Sequence, residues 1–477
     1  MNWLFAIIDW IKGLGASVML PIMIFLIGLI LGAKAGRAFR SAVTIGIAFV
    51  GIGLVINLLW TNLGDAAQAM VSRTGVSLDV VDVGWPAAAA IAFGGTVGTW
   101  IIPLSILVNI IMLVTRGTKT LNVDIWNFWH FAFTGALVYA VSQNLALALA
   151  AAALNAAIAL FLADWTAPGV QDFYGVPTIS IPHGFSAAYV PIAIPLNKLI
   201  DVIPGLNKLQ ADPETIQRRL GVLGEPIILG VVIGLILGCL AWLGDPNVGT
   251  FGTQLQKILV LAINLGAVML LMPRMVAILM EGLIPISEAA REFMKRRFAG
   301  GEFYIGLDSA ILIGHPAAIA TALLLVPVTI ALAIGLSAVG LNRILPFADL
   351  AVIPFMVCMI APITRGNIVR GVIIGTIVIA VGLILGTSIA PLHTAAAIDA
   401  KFKMPEGATQ IASICDGTNP LTWLLLNFSK LGGWIGWAIA VIIFGVIVFL
   451  YKRNPTGWEI AAGGPRPESL SAGSSES

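Results

Sequence analysis

Residues 145–163 read LALALAAAALNAAIALFLA, an unbroken apolar run that contains no charged side chain. A helix of about 20 apolar residues spans the roughly 30 Å hydrocarbon core of a bilayer. This run is therefore long enough to cross a membrane. Comparable runs lie at 18–33, 41–60, 97–115, 222–243, 258–283, 309–336, 367–390 and 432–451. The sequence thus predicts an all-α polytopic membrane protein whose surroundings are the lipid bilayer.

The composition agrees with this fold class and narrows the functions. Of the 477 residues, 58% are hydrophobic and only 10% are charged, against about 25% charged in a typical soluble domain. The net charge of +2 does not indicate a nucleic acid as a partner. Because the chain has neither a phosphate-binding ATP loop nor a histidine pair with metal-ligand spacing, we predict no cofactor and no metal.

Four less regular segments complete the predicted topology. Segments 124–141 and 347–363 are weaker candidate spans, because polar residues lie at or near their ends. Segments 179–196 and 409–428 are short and broken by proline or glycine. Non-helical backbone at membrane depth must be buried in protein or line a polar cavity, so we interpret these two as re-entrant hairpins. The nine long runs and the two weaker spans together give about 11 expected crossings of the membrane.

The distribution of Lys and Arg orients the spans, since cytoplasmic loops are enriched in both residues. Basic clusters lie near 34–40, 116–119, 198–219, 291–297, 365–370 and 452–453. They place the N-terminus outside and the C-terminus in the cytoplasm. Residues 1–16 are predicted to form an interfacial helix, and residues 454–477 a disordered cytoplasmic tail.

The two halves of the chain resemble each other. Three residues of the first half recur in the same order in the second, pairing Gly84 with Gly306, Pro103 with Pro327 and Asp124 with Asp349. Matched segments run in opposite directions under the charge-based orientation, as in transporters with inverted repeats. We expect two inverted five-helix repeats, each with a hairpin, and a further span. The predicted boundaries are 17–197 and 222–428 for the repeats, 198–221 for a cytoplasmic loop and 429–453 for the last span.

Polar side chains at membrane depth are costly and are therefore candidates for binding a solute. Carboxylates and imidazoles can hydrogen-bond to hydroxyl groups, and an indole can stack on the apolar face of a polyol. Asn127, His130 and Thr134 also share one helical face. The predicted substrate-binding residues are Asp82, Gly84, Trp85, Asn127, His130, Thr134, His183, Gly184, Ser186, Asp308 and His315.

Structural roles remain as alternatives for several of these residues. Trp85 could anchor an interface, and His130 could belong to a hydrogen-bond network between helices. Asp308 could cap the helix that follows it, and His315 could be structural. Asp416, in the second hairpin, could equally belong to a turn or to the site.

Long collinear motifs resemble one transporter family over nearly the whole chain. They are similar to the galactitol-specific enzyme IIC component of the bacterial phosphoenolpyruvate-dependent phosphotransferase system, within a superfamily shared with the ascorbate-specific IIC proteins. The stretches are 49–53, 80–86, 122–126, 134–136, 181–184, 224–226, 303–308 and 345–347.

This resemblance implies a homodimer whose protomers each have a substrate-binding core domain, a V-shaped scaffold domain and elevator-type movement of the core. His130, His183 and Asp308 match residues that contact the substrate in the ascorbate proteins. Those proteins carry glutamines at positions resembling Thr134 and Gly184, so a different, neutral substrate is expected here.

The resemblance also implies the activity and the partners. The chain is expected to be a permease subunit that binds and translocates a polyol, with galactitol as the expected hexitol. A phosphorylated IIB subunit, supplied in turn by a IIA subunit, would phosphorylate the substrate. The chain itself would carry no catalytic phosphoryl-transfer residue and would be an enzyme only as part of that complex. The alternative is an ion-coupled secondary transporter of a small polar solute, in which Asp82, Asp308 and the histidines relay protons.

Overall fold

The computed structural model describes residues 16–76, 78–209, 211–220, 225–297, 303–405 and 408–466. The helices within these ranges are α1 (Ala16–Ile30), α2 (Ala35–Ser72), α3 (Gly84–Gly94), α4 (Ile101–Val114), α5 (Trp129–Ser142), α6 (Leu145–Tyr174), α7 (Val190–Asp201), α8 (Pro213–Leu220), α9 (Pro226–Trp242), α10 (Phe251–Arg297), α11 (Pro316–Ala338), α12 (Ile353–Val357), α13 (Ile368–Asp399), α14 (Ile414–Gly417), α15 (Pro420–Lys430), α16 (Trp434–Arg453) and α17 (Pro455–Ala461). The protein is thus mostly helical, as predicted.

The long apolar runs of the sequence form the membrane helices. Within the described residues, six helices are long and apolar enough to cross a bilayer, namely α2, α6, the part of α10 up to Ile286, α11, α13 and α16. Shorter apolar helices occupy the runs predicted at 18–33, 97–115 and 222–243. The prediction of a polytopic helical membrane protein is therefore confirmed.

The number of crossings stays a prediction. Segment 124–141 contains the 14-residue α5, and segment 347–363 contains only the five-residue α12 after a 3₁₀ turn at Leu350–Val352. Neither helix reaches the length that a straight crossing requires. Helix α10 continues without a break to Arg297, beyond the end of the apolar run predicted at 258–283.

The predicted disordered tail was wrong for its first part. Pro455–Ala461 form α17, and the indole of Trp458 packs on Trp165 of α6 with ring centroids 4.9 Å apart. The Trp165 Nε1–H also donates a hydrogen bond of 2.7 Å to the Trp458 carbonyl. This aromatic contact holds the helix against the bundle. Residues 467–477 lie outside the described residues, as does the predicted interfacial helix up to residue 15.

Among the residues that the structure describes, six short strands form two parallel three-stranded sheets. They are β1 (Val80–Asp82), β2 (Thr120–Asn122), β3 (Ile179–Ser180), β4 (Tyr304–Gly306), β5 (Ile344–Leu345) and β6 (Gln410–Ala412), in the orders β5-β1-β6 and β2-β4-β3. The central strand of each sheet comes from one half of the chain and both outer strands from the other half. The pairing supplies partners for backbone groups where the helices are broken, which membrane proteins require.

The helices pack in two groups. The first group contains α1, α2, α9 and α10. At Gly234 of α9 the contact is so close that an added Cβ would lie 2.5 Å from the Ala262 Cα in α10, so this crossing depends on a residue without a side chain. The second group contains α3 to α7 and α11 to α15 around the two sheets. Helix α16 lies at the periphery, with only 11% of its apolar window buried.

Candidate functional site

A cavity of about 540 Å³ lies between the two groups of helices. From the first group, the middle of α2 contributes a mainly apolar wall that includes Phe49 and Ile52 and ends at Asn57. The second group contributes the aromatic and polar wall, formed by Trp85, Trp126, Asn127, Trp129, His130, His183, Phe185, Asp308, Phe355 and Cys415. The described lining includes no Lys or Arg.

Hydrogen bonds orient two histidines in this wall. The backbone N–H of Ser186 donates to His183 Nδ1 over 3.2 Å, so the ring proton of His183 lies on Nε2. His183 Nε2 faces His130 Nε2 at 3.3 Å. On its other side, His130 Nδ1 donates to Asp416 Oδ2 over 2.6 Å. The contacts form one directional chain from the first hairpin to the second, with His130 in the middle.

Asp308 combines a capping role with a position in the cavity. Its Oδ1 accepts a 2.8 Å hydrogen bond from the Ala310 N–H and so caps the 3₁₀ turn Ser309–Ile311. The same oxygen lies 3.6 Å from His183 Nε2. The capping interpretation is thus correct, and Asp308 also forms part of the wall of the cavity.

Gly184 allows the two hairpins to meet at His130. A Cβ at Gly184 would lie 2.7 Å from the His130 Cβ, so a larger residue would push the histidine away. The Gly184 carbonyl accepts a 2.9 Å hydrogen bond from Asn419 Nδ2, and Asn419 also donates to Asp416 Oδ1 over 3.1 Å. Gly184 therefore positions the site through its small size and its carbonyl.

Asp82 belongs to a hydrogen-bonded link between the two halves of the chain. Its Oδ2 accepts from the Asp349 N–H over 3.0 Å, while Asp349 Oδ1 accepts from the Trp85 N–H over 2.6 Å. Asp349 Oδ2 also accepts from Ser413 Oγ over 2.5 Å. Gly84 makes the connecting turn with a φ of +76°, which favours glycine. Asp82 borders a second, neighbouring cavity of about 440 Å³.

Six predicted site residues do not line the 540 Å³ cavity: Asp82, Gly84 and Gly184, described above, and Thr134, Ser186 and His315. Thr134 Oγ1 is buried behind it, bonded to Thr422 Oγ1 at 2.8 Å. Ser186 Oγ hydrogen-bonds to Ser309 Oγ at 2.7 Å. His315 lies elsewhere, since its Nδ1 accepts from the Ala317 N–H over 3.2 Å to cap α11. The Thr134 and Ser186 side chains support the wall of the cavity, and His315 serves its own helix.

The structure adds residues that were not among the predicted ligands. Asp416 and Asn419 join the histidine network, and the matching position of the second hairpin in the repeat was the signal for them. One atom each from His130, Cys415 and Asp416 lie within 4.8 Å of one another, the spacing of a possible metal group. Two of these atoms already share the short hydrogen bond between His130 and Asp416.

Comparison with known proteins gives matches over nearly the full chain. Residues 10–407 match a family model described as the sugar-specific permease component of the PTS system. A PTS system galactitol-specific EIIC component of Escherichia coli strain K12 is 40% identical over 452 residues, covering 95% of this chain and 97% of that protein. The protein of the same description from Escherichia coli O157:H7 matches equally. A putative permease IIC component of strain K12 is 40% identical over 447 residues, covering 94% and 99%.

Proposed function

The chain belongs to the sugar-specific permease components of the phosphotransferase system, and from this premise we propose that it binds and translocates a hexitol, with galactitol as the expected substrate. The cavity with His130, His183 and Asp308 carries this proposal. Two of the relatives that match over most of the chain are described as galactitol-specific.

The chemistry of the cavity favours a neutral, hydroxyl-rich ligand. In the chain of hydrogen bonds His183 Nε2 donates to His130 Nε2, and a hydroxyl group that takes the place of this contact can accept from the first atom and donate to the second. Trp85, Trp126 and Trp129 supply apolar faces for the carbon chain of a polyol. Because no Lys or Arg occurs among the described lining residues, an anionic substrate would lack a counter-charge.

Phosphorylation is assigned to partner proteins. We propose that a phosphorylated IIB subunit, recharged by IIA, transfers its phosphoryl group to the polyol as the polyol reaches the cytoplasm. The chain then selects and moves the substrate, and the complex performs the reaction. The alternative, ion-coupled transport, requires uptake by the chain alone.

Reconstitution tests the proposed function. We expect liposomes containing the purified chain to accumulate labelled galactitol phosphate only when phosphoenolpyruvate, the general phosphotransferase proteins, IIA and IIB are present inside. The matched control omits IIB alone and should retain substrate binding without phosphorylated product. Accumulation of unmodified galactitol under a proton gradient, without these proteins, would contradict the proposal and favour the secondary transporter.

The architecture supports an elevator-type movement in a homodimer. All the polar groups of the histidine network lie in the second group of helices, while α2 of the first group provides the facing wall. We therefore propose that α3 to α7 and α11 to α15 form the moving core and that α1, α2, α9 and α10 form the V-shaped scaffold. The exchanged central strands support two inverted repeats, since each half supplies the central strand of one sheet and both outer strands of the other.

The proposed orientation predicts which loops face each side. In a Cys239→Ser background, which removes the exposed native cysteine, Thr250→Cys should react with an impermeant maleimide from outside. Lys208→Cys should react only after the membrane is opened, because its loop is rich in basic residues. Labelling of both cysteines from the same side would contradict the orientation with the N-terminus outside and the C-terminus inside.

A further inference from the structure

A further cavity, which is apolar, lies away from the histidine site. It has a volume of about 650 Å³ and runs between α6, α7, α15, α16 and α17. Phe161 and Phe444 form part of its wall, with ring centroids 5.7 Å apart, and Leu425 is another buried residue of its lining. Helix α16 lies at the periphery of the bundle, where most of its apolar surface is exposed. The result is an apolar groove along the outer surface of the membrane helices.

A basic cavity of about 730 Å³ lies next to this groove. Its charged lining residues are Lys198, Arg365, Arg370 and Arg466 together with Asp172 and Asp201. Four cations therefore face two acids. Arg365 Nη1 lies 3.1 Å from Asp172 Oδ2, and Arg370 Nη1 lies 2.6 Å from Asp201 Oδ1. The acids hold two guanidinium groups in place, and Lys198 adds a further positive charge to the cavity.

The apolar groove and the basic cavity are continuous. Ile194, Lys198 and Ala461 line both of them, so the groove ends at the ammonium group of an exposed lysine. No ion pair of Lys198 is found within the part of the chain that the structure describes. An apolar groove that ends at clustered cations fits a molecule with an apolar tail and an anionic head.

We propose that this composite surface binds an anionic phospholipid, with an acyl chain in the groove and the phosphate at Lys198, Arg365 and Arg370. Arg and Lys form strong charge-assisted hydrogen bonds with phosphate oxygens, and basic pockets between membrane helices bind lipid head groups in this way. Trp458 and Tyr451 lie at the same end of the groove, with ring centroids 6.1 Å apart. Tyrosine and tryptophan are enriched at the level of lipid head groups, which places the junction at the membrane surface.

Retention of lipids by the full-length chain tests the head-group contact. The chain is purified from nanodiscs that contain equal amounts of phosphatidylglycerol and phosphatidylcholine, and the retained lipids are counted by native mass spectrometry. Lys198→Gln should lower the ratio of phosphatidylglycerol to phosphatidylcholine by roughly fivefold, the effect of one cation near the head groups. Lys452→Gln is the matched control, since Lys452 is an exposed lysine at the end of α16 that lines neither cavity.

A second pair of variants tests the groove. Ile443 lines it and is 44% exposed, whereas Ile435, on the same helix, is 69% exposed and does not line it. Ile443→Trp should fill the groove and reduce retention of both lipids, and Ile435→Trp should retain them as the unmodified chain does. Thermal melting and galactitol binding verify that each variant is folded.

Three results would overturn the proposal. The first is an unchanged lipid ratio in Lys198→Gln. The second is stabilisation by inorganic phosphate in pure phosphatidylcholine as large as that by phosphatidylglycerol, which would assign the cavity to a soluble anion. The third is a loss of IIB-dependent phosphorylation in Lys198→Gln with unchanged lipid retention, which would assign the surface to a protein partner.

Discussion

Replacement of Asp349 by alanine is expected to lower the free energy of unfolding by about 3 to 5 kcal/mol, the cost of breaking a buried hydrogen-bond network. Asp349 is fully buried. Its carboxylate accepts hydrogen bonds from the Trp85 N–H, the Ser413 hydroxyl and the Cys415 N–H. Alanine would remove the acceptor of the Trp85 N–H and of the Ser413 hydroxyl, while the Cys415 N–H would keep only its 3.2 Å hydrogen bond to Ser413 Oγ. Each buried donor that loses its acceptor contributes a desolvation cost. Thermal melting and size-exclusion chromatography in detergent measure the loss.

Asp79→Ala is the matched control for this variant. Asp79 lies just before β1 and pairs with Arg343 just before β5, with Arg343 Nε 2.9 Å from Asp79 Oδ1. The hydrogen bond from Arg343 lowers the pKa of the Asp79 carboxyl. Both partners are exposed, however, and exposed ion pairs contribute little to stability. Equal melting temperatures for the Asp349 and Asp79 variants would show that the buried link does not hold the two halves together.

His183→Ala is expected to weaken galactitol binding by about ten- to a hundredfold, which corresponds to roughly 1–3 kcal/mol for lost hydrogen bonds to a buried partner. The substitution removes the Nε2–H donor and leaves His130 Nε2 without the partner that faces it at 3.3 Å. Isothermal titration calorimetry on the purified chain measures the dissociation constant. The melting temperature shows whether the variant is folded.

His315→Asn provides a control on another histidine. His315 caps α11 outside the cavity, and asparagine can also cap a helix, so binding should stay near that of the unmodified chain. Near-normal affinity in His183→Ala would remove His183 from the substrate site. A loss in His315→Asn as large as that in His183→Ala would extend the site beyond the cavity.

The sequence predicted the helices well because a long apolar run can cross the hydrocarbon core of the bilayer only as a helix. Each of the nine long runs contains an apolar helix of the structure. It did not predict the strands, which are two or three residues long and too short for an alternating pattern. Their partners are also distant in sequence, as the pairing of Val80 with Gln410 shows.

The candidate site was predicted only in part for a similar reason. His130, His183 and Asp308 stood out as polar groups among apolar neighbours, and the structure brings all three to one cavity. His315 showed the same local pattern, yet its side chain caps a helix. Composition and spacing do not distinguish a capping side chain from one that faces a cavity. Asp416 could belong to a turn or to the site, and the structure shows both a hydrogen bond from Asn419 within the hairpin and a 2.6 Å contact with His130.

The exchange of central strands has a consequence for biosynthesis. Strand β1 needs β6 as a neighbour, and Val80 pairs with Gln410, so a ribosome must add roughly 330 residues before that pairing can form. At about 5–20 residues per second this takes roughly 15 to 65 seconds. Throughout that interval the broken helices of the first half remain in the bilayer with backbone groups still awaiting their partners. We therefore expect the insertion machinery or a membrane chaperone to bind the first half until the second half has been synthesised.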